Sequence, residues 1–297
     1  MGLGITIFLT SCALICFAAN SILCRLALGA QQIDANAFTL IRLLSGAITL
    51  LFLLALNRRS SATTNAKPHT PEEQKGSWLS AYLLFQYAIC FSFAYTLLSA
   101  ASGAIILFGT VQLTMIMISM YKGNRLHIFE WLGIIIAFGG FVYLLFPGIS
   151  APSPLGFYLM LLAGIAWGGY TLRGRHSQNP LSDTTWNFVR SLPFILVLLL
   201  FFWSKLHFNR QGVLLAIASG SIASGIGYAI WYKVLPSLRA TQAAVVQLMV
   251  PILTSIAGIV WVSEPITLRF AIAAVMILGG ILLVIIKSYY VKAAPLA

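Results

Sequence analysis

Acidic side chains are nearly missing from this chain: six Asp and Glu stand among 297 residues. Asp34, Glu130, Asp183 and Glu264 sit at the ends of apolar runs, and Glu72 and Glu73 lie in a polar stretch, so none falls mid-run. Cation carriers and proton relays commonly place a carboxylate at depth. Its absence argues against both and favours neutral, zwitterionic or weakly anionic solutes. Charge of either sign is scarce, at 8% of residues against 60% hydrophobic, too little for a soluble globular surface. The four cysteines, Cys12, Cys16, Cys24 and Cys90, stand in apolar runs and suggest no disulfide framework. All four histidines (His69, His127, His176, His207) fall between the runs, which removes the usual intramembrane metal ligand, and no metal or cofactor is expected. HExxH, GxSxG and a buried Asp pair are also absent, so an intramembrane enzyme would need an unfamiliar site. No enzymatic activity is expected.

Long hydrophobic runs are what the chain does have. Ten segments, near 4–24, 34–56, 77–98, 100–120, 129–146, 154–172, 184–203, 212–232, 241–260 and 269–287, each match a bilayer core of about 30 Å. The expected fold is an all-α membrane protein of ten transmembrane helices. The connections are short except for 57–76, a polar stretch expected to be a flexible cytoplasmic linker, and the Pro-containing break at 146–156.

The formal net charge of +12 follows the same pattern. With the first run starting in the cytoplasm, twelve of the 18 Lys and Arg fall inside and only Arg25, Lys205, Arg210 and Arg269 outside. That asymmetry is the positive-inside signature and implies both termini in the cytoplasm. The basic excess is therefore a topology signal, and no nucleic-acid partner is implied. The partners expected are the lipid bilayer and a small-molecule substrate.

Arg42 and Arg190 are the exceptions, each set deep in an apolar run, where a charge is expensive. At an offset of 148, Phe38 falls on Trp186, Ile41 on Val189, Arg42 on Arg190 and Leu44 on Leu192. At 150, Phe17 meets Trp167, Ser21 meets Thr171 and Arg25 meets Arg175. At 140, Ala100 meets Ala240, Leu113-Thr114 meets Leu253-Thr254 and Gly139-Gly140 meets Gly279-Gly280. Matches in the same order along both halves indicate duplication, with units of 1–148 and 149–297. Five crossings is an odd number, so the second unit is expected to lie inverted in the membrane. Inverted repeats can exchange conformations, which is the structural basis of alternating access around a site near the midplane.

Polar and amphipathic residues inside the runs are few. Asn20, Gln86, Tyr95, Gln112, Trp167, Tyr170, Tyr228, Gln242 and Gln247 are the candidates for a substrate cavity, because amides in hydrocarbon need partners or water. Tyr228, Trp231 and Tyr232 share one helical face. Arg42 and Arg190 are expected to act in gating or in structure, tying helix ends to carbonyls or snorkelling. Small residues crowd the eighth run, AIASGSIASGIGYAIWY, and favour close helix packing.

The Ser-Glu-Pro at Ser263–Pro265 followed by Thr267, the closing Gly279-Gly280, Trp167, Pro251, Arg25 and Arg42 together resemble the EamA domains of the drug/metabolite transporter superfamily. The resemblance covers almost the whole chain as two repeats. It implies a central cavity lined by spans 1, 3, 4, 6, 8 and 9 and export of metabolites such as amino acids from the cell, across a bacterial inner membrane. The first repeat departs from the pattern: Val111 stands where the second has Pro251, Asn124 where it has Glu264, and Phe17 where Trp is usual. Coupling is either absent or, with protons as the candidate ion, uses an end-of-span group such as Glu264. The alternative within the superfamily is a flippase for a lipid-linked substrate, whose cavity would open sideways to lipid.

Overall fold

A computed structural model describes residues 2–63, 76–121, 123, 127–146, 151–175, 177–202, 206–238 and 240–293. These are helical almost throughout, and their single β contact is an isolated bridge between Ile33 and Phe208. The helices are α1 (Leu3–Gly29), α2 (Ala35–Thr63), α3 (Trp78–Tyr95), α4 (Ala100–Tyr121), α5 (Ile128–Leu145), α6 (Pro154–Gly174) and α7 (Pro180–Phe202). They continue with α8 (Arg210–Ser237), α9 (in two pieces, Ala240–Gln247 and Met249–Val262) and α10 (Leu268–Ala293). Apolar side chains with no water at hand leave the backbone to satisfy itself, which a helix does within one segment.

Polar residues fix the helix starts. Asp34 accepts from the Asn36 and Ala37 amides ahead of α2, Ser77 from Ser80 at α3, and Asn209 from Gly212 at α8. His127 and Glu130 form a reciprocal capping box at α5.

Nine helical stretches among the described residues are long and apolar enough to cross a membrane. The run expected at 184–203 is helical as α7, which is not among these nine. The expected linker at 57–76 begins later than its polarity suggested. Residues 57–63 continue α2, since Arg, Ser and Ala suit a helix, and 64–75 lie outside the described residues. The boundary expected at 148/149 also lies outside them.

The last helices of the two halves pack directly on each other. A Cβ at Gly133 would come 2.5 Å from the Gly280 carbonyl oxygen, and one at Gly280 would come 2.5 Å from that of Gly133. Further along, Gly140 faces the Ala273 carbonyl at 3.2 Å on the same measure. Position rises along α5 as it falls along α10, so the two run antiparallel. At the offset of 140, residues 133 and 140 correspond to 273 and 280, so each contact maps onto the other, as a two-fold interface requires.

This crossing yields a matched test. Gly280→Leu should lower the thermal midpoint in detergent by the equivalent of about 1–3 kcal/mol. Gly279→Leu, where a Cβ meets nothing within 4 Å, should leave it unchanged. Equal effects from both would contradict the close crossing.

Candidate functional site

A small cavity lies between residues of both halves. On α1, Phe17, Asn20 and Ser21 fall at i, i+3 and i+4 and share one face. Tyr87 and Phe91 of α3 stand one turn apart, and α4 adds Leu107 and Phe108. From the second half, Trp167 of α6 and Tyr228 of α8 complete the lining. The Trp167 ring lies 4.8 Å from Tyr87 and 4.9 Å from Tyr228, with Phe17 edge-on to both Trp167 and Tyr228. The free space is about 10 Å³, room for roughly one water molecule. A space this small holds no metabolite, so binding one here needs the lining helices to move apart.

Beside the cavity runs a chain of polar contacts. Ser219 Oγ donates to Asn20 Oδ1 at 2.7 Å, and Asn20 Nδ2 donates to Tyr87 Oη at 3.4 Å. Arg42 Nη2 donates to the same phenol oxygen at 3.0 Å, while its Nε donates to Ser224 Oγ at 3.2 Å. The Arg42 guanidinium also lies 5.1 Å from the ring centres of Tyr87 and Phe91. Only 2% of the residue is exposed, and Nη1 has no hydrogen-bond partner.

Local helix geometry makes this chain possible. Ser219–Ile226 of α8 is a π-helix, in which residues five apart come round to one side. Ser219 and Ser224 are five apart, so both reach inward, one to α1 and one to α2. Gly220 sits against the Arg42 carbonyl, an approach that a Cβ would block.

Different contacts lie at the two ends of α3. At one, Arg25 Nε meets Glu264 Oε1 at 2.7 Å, Glu264 Oε2 accepts from the Ala100 amide at 2.7 Å, and Arg25 Nη1 donates to the Tyr95 carbonyl. This is the one salt bridge among the described residues, and it joins the first half to the second. Glu264 is delivered by Ser263, which ends α9 in the left-handed conformation (φ 55°). At the other end of α3, Arg173 donates to Ser80 and Ser77, and Tyr170 packs edge-on to Tyr232, whose ring fills the space beside Gly174.

Of the nine cavity candidates, Asn20, Trp167 and Tyr228 line the space. Tyr170 stacks behind Trp167 at 5.4 Å, and Tyr95 lies beneath the salt bridge with its hydroxyl toward the Ala100 carbonyl. Gln86 is half-buried beside Tyr87 but turned away by the roughly 100° step between neighbours. Gln112 is buried one turn beyond Phe108. Gln247 donates back to the Ala243 carbonyl of its own helix, and the Gln242 side chain lies outside the described residues. Among the described residues, none from α9 lines this small space.

The two arginines are not equivalent. Arg190 is half-buried, with its guanidinium 5.6 Å from the Trp78 ring centre near the start of α3. Among the described residues, Arg42 donates to no carbonyl. Its hydrogen bonds go to the Tyr87 and Ser224 side chains in the interior. Phe17, Ser21, Tyr87, Phe91, Leu107 and Phe108 were missed as site residues. For Phe17, its pairing with Trp167 in the repeat was the available signal.

The salt bridge supplies a direct test. Glu264→Ala should lower stability by about 1–3 kcal/mol and speed hydrogen exchange at the Ala100 amide. Unchanged exchange would show that the pair does not hold this end shut.

With this geometry established, similarity to known proteins is informative. A model of the EamA-like transporter family matches residues 4–146 and 154–286, one match per repeat. An uncharacterized protein of Pseudomonas aeruginosa is 46% identical over 280 residues, 94% of each chain. The uncharacterized transporter YoaV of Bacillus subtilis is 22% identical over 264 residues, 85% of this chain and 88% of that one. A solved crystal structure superposes with a TM-score of 0.62 at 17% identity, covering 96% of this chain and 99% of the other, a likeness of fold. Two family matches spanning nearly all the sequence, together with nine membrane-length helices, place this chain in the EamA-like transporter family.

Proposed function

We propose that the protein is a secondary transporter that exports a small organic metabolite from the cell by alternating access. The observation that carries this reading is the closed, aromatic-walled cavity built from both repeats, with a salt bridge across one of its ends. A cavity holding about one water cannot admit a solute while both ends are shut, so function needs at least one further conformation. The reciprocal contact of α5 with α10 supports an inverted pair, in which each half can take the other's conformation.

In this reading α7 is the tenth crossing, and both termini are cytoplasmic. Arg25 and Glu264 then close the outer end, and Tyr170 and Tyr232 the inner one. Breaking the salt bridge would free the first half from the second on the outside. Glu264 is the acid that a coupling proton would reach.

Mass spectrometry of the medium around cells making the intact protein tests the proposal against cells making Trp167→Ala. A solute should accumulate outside with the intact protein and fall several-fold with the variant at equal membrane abundance. Identical media would count against export of a soluble metabolite.

A further inference from the structure

The guanidinium of Arg42 is a full positive charge in the interior with no carboxylate beside it. Every described acid is committed elsewhere. Asp34 caps α2, Glu130 caps α5, Asp183 accepts from the Gly76 amide and Ser177, and Glu264 holds Arg25. What Arg42 has is two hydroxyl oxygens and two aromatic faces, and its Nη1 is buried without a partner. Such partners soften the cost of a buried charge but do not neutralise it. A guanidinium with a free N–H is a ready fork for a planar anion.

The free nitrogen is close to the cavity. Tyr87 and Phe91, the two rings that flank Arg42, are themselves cavity walls, so the charge lies one side chain behind the free space. Tyr87 Oη and Asn20 Nδ2 meet at the same wall, adding neutral polar groups that can turn toward a bound oxygen. The remaining lining is aromatic, with Phe17, Trp167 and Tyr228 presenting ring surfaces. No carboxylate lines the space, so an ammonium group there would find no counter-charge and would face Arg42.

Resting on the transporter reading above, we infer that Arg42 is the anchor for a carboxylate on the transported solute. The solute is then a flat, apolar organic acid carrying net negative charge, as distinct from a zwitterionic amino acid. In the closed conformation the anion site is assembled but screened by Tyr87 and Phe91. Separation of α3 from α8 on opening exposes it. Arg42 thus has a purpose that Arg190, lying on Trp78, does not share.

The test uses purified full-length protein and matched pairs of probes that differ only in charge. Benzoate is compared with benzamide, and phenylpropionate with phenylpropionamide, phenylalanine and phenethylamine, by calorimetric titration and by shift of the thermal midpoint. At least one acid should bind about ten- to a hundredfold more tightly than its amide, the range expected for a charge-assisted pair. Phenylalanine and phenethylamine should bind more weakly than phenylpropionate. Arg42→Gln should bring acid and amide to equal affinity, and Arg42→Lys should restore part of the difference. A purely structural Arg42 would lower stability without changing that ratio. Should Arg42→Gln fail to fold, the intact protein still decides, because equal binding of acids and amides overturns the assignment.

Flux into liposomes separates this inference from the transporter reading. Arg42-dependent acid binding without flux would sink the transporter reading and leave the anion site standing. Flux of neutral or cationic solutes that persists in Arg42→Gln would do the reverse.

Discussion

A single buried guanidinium constrains the centre of this protein. Placing Arg42 in the interior costs at least about 2.5–3.5 kcal/mol for an arginine at the middle of a membrane helix, by insertion scales. The structure offsets that by bringing three helices to one point. Tyr87 and Phe91 come from α3, and Ser224 comes from α8 of the other repeat. To deliver Ser224, α8 must lie against the backbone of α2, and that requires Gly220 at the contact and the wide turns of the π segment. The same segment then sends Ser219 to Asn20 on α1. One charge therefore sets the relative placement of α1, α2, α3 and α8, which are most of the helices around the cavity.

The periphery follows a different logic. Without a hydrophobic drive between helices in lipid, close packing needs small residues that let backbones touch. The Gly133–Gly280 contact between α5 and α10 supplies this with no polar side chain at all. A glycine crossing and a charged centre divide the molecule into a tightly packed flank and a polar interior. The cavity belongs to the interior, where hydrogen bonds can exchange partners and contacts can re-form.

The sequence made the architecture legible because the bilayer imposes length and polarity on every crossing. The duplication was visible in Gly139-Gly140 against Gly279-Gly280, and at Gly140 and Gly280 close packing fixes residue size. Arg42 stood out because a charge in hydrocarbon needs a reason. Its environment was not legible, since Arg190 stands in similar sequence surroundings and ends half-buried on Trp78. The difference comes from what packs opposite each one. The π segment was hidden as well, because SGSIASGI reads as an ordinary small-residue helix. Among the candidate site residues, Asn20, Trp167 and Tyr228 were readable by type and position. Tyr87 and Phe91 were not, because aromatic residues in apolar runs are common and nothing local marks which ring faces the free space. Gln247 donates to its own helix at the Ala243 carbonyl, while its Oε1 is buried without a partner among the described residues.

In the transporter reading, the two ends of the cavity are shut by interactions with different physics. Arg25 and Glu264 form an ion pair that is partly exposed, whereas Tyr170 and Tyr232 close the opposite end mainly by apolar contact. An ion pair reaching solvent weakens as ionic strength rises. Apolar closure responds little to salt and weakens on cooling. On that reading, salinity and temperature would act on separate doors of the same chamber. A cell moving from warm, dilute surroundings to cold, saline ones would alter both closures, each through its own variable.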